Sequence, residues 1–141
     1  MSHETIVYGY IDGRTWRGDE FRKYQSCNLE VLSRLPEKDG WLSRAMFSSP
    51  PLEAGKGTFW TQVIHFGGSF NYLDYEEIPV WVAEFENLLR QLYWFGATAH
   101  LLTERDRDYR FDWHIDETLL LHGAADELVP TSVWTRKDFH G

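Results

Sequence analysis

Between Pro79 and Phe95 the apolar residues Trp81, Phe85, Leu88, Leu92 and Phe95 recur at offsets of four, three, four and three, which draws one stripe down an α-helix. Glu84, Glu86, Asn87, Arg90 and Gln91 fall on the other side. Pro79 suits a first helical turn, Glu76 and Glu77 precede it at the positive dipole end, Glu86 and Arg90 are spaced to pair, and Gly96 suits the stop. A second stripe, Phe21, Tyr24, Asn28, Val31, Leu32 and Leu35, predicts a helix from Asp19 to Leu35 that Pro36 ends, although Cys27, Leu29 and Val31 also alternate as in a strand. Strand patterns cover Thr5 to Asp12, Trp41 to Ser48, Thr58 to Phe66, Ala97 to Glu104 and Tyr109 to Asp116, the last two forming a hairpin around the charged turn 105–108. The strand at Thr58 is apolar on both faces, hence expected at the sheet centre and ended by Gly67, Gly68 and Ser69. Residues 70–77, FNYLDYEE, read as an irregular lead into the long helix.

The order β, α, β, β, α, β, β implies an α+β domain in which two helices bury their stripes on one face of an antiparallel sheet of four to five strands. This is a ferredoxin-like βαββαβ unit with an extra C-terminal strand, and the uncovered sheet face is where function is expected. A chain of 141 residues fits one domain, residues 1–141, with a tail from about residue 123 that carries no clear pattern.

With 22 acidic against 14 basic residues the net charge is −8, which opposes binding to nucleic-acid phosphates and favours a cationic partner. Aromatics make up 16% of the chain, with 7 Trp and 7 Tyr, enough to fill a core or to anchor an interface. One cysteine, no apolar leader and no run of about 20 apolar residues imply a reduced, cytoplasmic protein without a membrane span.

Candidate chemistry is sparse. Alternation sets Asp112, His114 and Asp116 on one side of their strand, with His100 on the neighbouring strand, yet no HExxH, HxH or CxxC accompanies them, so neither metal nor cofactor is expected. A polar hairpin face gives the same pattern without function. His65, inside an apolar strand, reads as an interior or half-buried residue. GGSF at Gly67 to Phe70 lacks a second glycine after its serine, and Cys27 reads as an inert thiol. Catalytic residues are therefore not assigned.

One loop offers an enzyme reading. Gly9, Ile11, Gly13, Trp16 and Arg17 in GYIDGRTWR resemble, in spacing, the glycine-framed phosphate loop of acylphosphatases, which implies an anion held by backbone N–H groups and an arginine at a helix start. Asp12, Thr15 and Arg44 depart from that pattern, and an acidic side chain beside a phosphate cradle repels the ligand.

The competing reading is recognition. Tyr72, Asp74, Tyr75, Glu76 and Glu77 on one loop, and Asp106, Asp108 and Tyr109 at the hairpin turn, supply aromatic anchors rimmed by acid, suited to a basic protein surface. A small, acidic, aromatic-rich, cysteine-poor α+β chain resembles, in overall character, bacterial toxin-immunity proteins. That resemblance implies a cytoplasmic inhibitor that binds a toxin domain directly. An exposed strand edge could also pair two copies as a homodimer.

Overall fold

The computed structural model describes residues 4–12, 20–37, 40–49, 63–71, 73–103, 108–115 and 134–140. Its elements are β1 (Glu4–Asp12), α1 (Glu20–Ser33), a 3-10 turn (Arg44–Met46), β2 (Phe47–Ser48), β3 (Val63–Asn71), α2 (Glu77–Leu89), β4 (Gly96–Thr103), β5 (Tyr109–Ile115) and β6 (Trp134–His140). The six strands form one sheet in the order β2-β3-β1-β4-β5-β6, and every neighbouring pair is antiparallel. The fold is α+β, with two more features than the sequence pattern shows: a sixth strand, and its place in the C-terminal tail. Because β1 is antiparallel to both β3 and β4, those two run parallel, and α2 joins them across β1.

Period-two alternation sorts each strand. Thr5, Val7 and Ile11 of β1, Ile64 and Phe66 of β3, Ala97, Ala99 and Leu101 of β4, and Phe111, Trp113 and Ile115 of β5 are all buried on the inner face. The opposite face presents Ile6, Tyr8, Tyr10, His65, His100, Arg110, Asp112 and His114, each exposed or half-buried. No side chain in that outer set is buried, so both helices lie on the inner face. His65 is thus exposed, contrary to the interior or half-buried position expected of it, because it has outer parity in β3 while Ile64 and Phe66 take the inner one.

Helix α2 supplies the core. Trp81 and Phe85 stack at 5.2 Å, Phe85 meets Phe66 and Trp113 at 5.0 Å each, and Ile78, Val82, Leu88 and Leu89 fill the rest. Burying side chains of this size stabilises the fold by about 1.5–3 kcal/mol apiece. The predicted stripe holds, but the helix ends at Leu89 and not at Phe95. Gln91 and Leu92 switch to bonds three residues back, at 2.9 and 3.2 Å, and the Trp94 indole N–H donates to the Leu89 carbonyl at 2.8 Å. The tightened turn lets Leu92 and Trp94 both point inward, both buried, and leaves Gly96 to open β4.

The segment expected to be a strand over 41–48 is mostly a turn. Only Phe47 and Ser48 pair, since the 3-10 turn at Arg44–Met46 curls the preceding residues. Gly67, Gly68 and Ser69 do not end β3; they pair with Tyr8, Val7 and Ile6 inside it. Residues 58–62 of the predicted strand lie outside the described residues. Over 20–33 the helical reading prevails over alternation. Buried Asn28 ties α1 to the connection after α2, its amide donating to the Tyr93 carbonyl at 2.9 Å and accepting from the Tyr93 N–H at 2.8 Å. The Tyr93 phenol is raised above its ordinary pKa, chiefly by burial and then by the nearby Cys27 of α1.

Gly9 owes its place to packing. A Cβ there would stand 1.9 Å from the Thr98 carbonyl oxygen and 2.7 Å from the Phe66 ring, so only a hydrogen fits between β1, β4 and the aromatic cluster.

Candidate functional site

The acidic segment leading into α2 is organised by Asp74. Its carboxylate accepts from the Glu76 and Glu77 N–H groups, both at 2.9 Å, while the Asp74 N–H donates back to Glu77 Oε1 at 3.4 Å. The Asp74 carbonyl also accepts from the Glu77 and Ile78 N–H groups at 3.0 and 3.2 Å, so the first turn begins at Asp74, two residues ahead of the Glu76 that flanks the regular helix, and the reciprocal bonds have the pattern of a capping box. Two of the acids expected to face a partner therefore serve the helix itself. Tyr75 and Glu76, between them, point outward, and Tyr75 is 77% exposed.

These two residues border a groove of about 530 Å³ between the first half of α2 and the inner face of β5 and β6. Ile78, Pro79, Val82 and Ala83 form the helical wall, and Tyr109 and Phe111 form the sheet floor. Glu76, Glu86, Arg136 and Asp138 set its polar edge. Tyr75, Glu76 and Tyr109, named from two distant stretches of sequence, thus meet at one site. Tyr109 lies parallel to Phe111, ring centres 6.4 Å apart. Asp108 is exposed at the start of β5, Tyr72 and Asp106 lie outside the described residues, and Glu77 lines a smaller hollow with Trp41 and Phe70.

Sequence reasoning missed Glu86, Arg136 and Asp138. Glu86 does not pair with Arg90 as its spacing suggests. It accepts from the Trp113 indole N–H at 2.9 Å and from Arg136 at 3.2 and 3.3 Å. Arg136 also bonds Asp138 at 2.9 Å, and Arg90 bonds Asn87 and sits over the Trp134 ring. Nothing in the sequence announces this network, because β6 was not recognised as a strand and its register on β5 is set by tertiary pairing. With three carboxylates against one guanidinium that two of them already hold, the groove edge is net acidic over an apolar floor. An apolar floor with a net acidic edge is complementary to an apolar side chain flanked by positive charge.

On the open sheet face, Asp112 accepts from Thr98 Oγ1 at 3.0 Å, and His100 stacks on Tyr8 at 4.7 Å. The polar hairpin side has the alternation expected of it, with Asp116 outside the described residues. Among the described residues no three His, Cys, Asp or Glu side chains are grouped to hold a metal ion, and no helix is long and apolar enough to cross a membrane. Residues 13–17 of the loop resembling acylphosphatases also lie outside the described residues, and Gly9 is accounted for by sheet packing. No family model, curated protein or solved structure matches the chain.

Proposed function

We propose that this chain is a non-catalytic binding protein of the toxin-immunity type, a cytoplasmic partner that neutralises a basic toxin domain by direct contact. The observation that carries the reading is the convergence of Tyr75, Glu76 and Tyr109 on one acid-edged apolar groove. Exposed aromatic anchors beside carboxylates favour a positively charged protein surface, and the net charge of −8 adds long-range attraction to the same kind of partner. We also read the first four strands and two helices as a ferredoxin-like unit, supported by the order β2-β3-β1-β4 and by α2 joining two parallel strands across β1. On this reading β5 and β6 are an added hairpin that builds the floor of the groove.

The test is to identify the genes flanking this one and to titrate the purified chain calorimetrically with each basic toxin domain they encode; flanking genes that encode none count against the proposal. One-to-one binding is expected, weakened at least about tenfold by Tyr75→Ala with Glu76→Lys, and with a shallower salt dependence in the double variant. Asp74 and Glu77 are left intact, so helix capping is undisturbed. Absence of binding, or an affinity the double variant does not change, overturns the proposal.

A further inference from the structure

Strand β6 ends the sheet order. Its seven residues, Trp134–His140, pair with β5 on one side, and among the described residues no strand pairs with the other. A strand left at an edge offers a row of backbone donors and acceptors to another chain.

The order of charges along β6 selects the partner. A two-fold axis perpendicular to the sheet keeps inner side chains on the inner face, so one residue must face its own copy at the centre. Centring on Arg136 or Asp138 sets like charges opposite one another and puts no opposite charges directly opposite. Centring on Lys137 sets Arg136 opposite Asp138 of the second copy, and Asp138 opposite Arg136, two complementary pairs against a single Lys–Lys contact. In its own chain Lys137 stands opposite Asp112 of β5, whose carboxylate is itself paired with Arg110 at 3.5 Å. Arg136 and Asp138 of one chain are each 37% exposed and bond each other along the strand at 2.9 and 3.5 Å, and Arg136 also bonds Glu86 at 3.2 Å. Directly opposite residues in an antiparallel pair lie close enough for their side chains to meet, so a second copy gives Arg136 and Asp138 one more counter-charge each beside the one they already share.

We propose that β6 pairs with β6 of a second copy of this chain, antiparallel and centred on Lys137, to make a continuous twelve-stranded sheet. Thr135 then lies opposite Phe139 on the open face, covering an aromatic ring that is 40% exposed in the single chain. Arg136 and Asp138 also edge the groove, so the pairing brings two grooves together on one side of the assembly.

Sedimentation velocity of the full chain, from micromolar to millimolar, tests this. A species of twice the 16.7 kDa chain mass is expected, dissociating as salt is raised. Asp138→Lys, which turns both complementary pairs into repulsions, weakens it by about tenfold or more. Lys137→Thr removes the one like-charge contact, strengthens the dimer, and touches nothing buried, so it decides the matter even if Asp138→Lys disturbs folding. A monomer at every concentration overturns the proposal, and so does a dimer that Lys137→Thr does not strengthen.

Discussion

The carboxylate of Asp74 sits where two demands on an acidic side chain compete, solvent exposure for a partner and hydrogen bonding for the helix. Both of its backbone donors lie at 2.9 Å, and the return bond from its own N–H to Glu77 completes the box. Asp74→Ala leaves those donors without a side-chain acceptor and should cost about 1 kcal/mol, while Asp74→Asn, whose amide oxygen can still accept, should cost only a few tenths. Urea unfolding of the two variants measures the difference. Glu76→Gln should change stability by less than about 0.5 kcal/mol, since its exposed carboxylate holds no helix donor. The D-x-x-E spacing of Asp74 and Glu77 is a legible capping signal in the sequence, but next to Tyr72 and Tyr75 the same letters also read as an acidic, aromatic surface. Only the placement of the first helical turn separates the two.

At the level of elements, the Asn28 amide ties α1 to the connection after α2. Asn28 is 2% exposed, and its two hydrogen bonds to Tyr93 satisfy a backbone donor and acceptor that belong to no strand or helix. Asn28→Ala strips both and should destabilise by about 2–3 kcal/mol. Asn28→Asp keeps the acceptor but turns a second oxygen toward the Tyr93 carbonyl, so it should recover little of that loss at neutral pH. Thermal unfolding of both variants checks the ordering. Asn28 was legible as a member of a helical stripe, and its alternating neighbours Cys27, Leu29 and Val31 explain why a strand competed. The stripe from Trp81 onward was legible through Leu92, yet the helix end was not. Trp94 caps the Leu89 carbonyl with its indole N–H, an interaction that depends on chain reversal and leaves no periodic trace.

For the molecule as a whole, the sheet is asymmetric in a way alternation alone foretells: Val7 is fully buried while neighbouring Ile6 is 43% exposed, and Tyr8 and Tyr10 on the same outer face are 42% and 45% exposed. What alternation could not supply was which strands lie side by side. The hairpin of 97–104 with 109–116 was legible and is β4 paired with β5, whereas the positions of β2 and β6 follow from long-range pairing, and β6 lies in a tail with no strong apolar rhythm, its Arg136, Lys137 and Asp138 disguising a strand as a charged end. The inner and outer faces should therefore answer substitution differently. Val7→Ala removes two methyl groups from a close-packed layer beneath α2 and should cost about 2 kcal/mol or more. Ile6→Thr trades a half-exposed side chain for another β-branched one on an open face, keeps the strand preference, and should cost less than about 0.5 kcal/mol. Parallel urea denaturation of the two, at a protein concentration where the chain is monomeric, separates them. Equal losses would mean that something in solution covers Ile6, Tyr8 and Tyr10, and the sheet would then have two buried faces where the single chain has one.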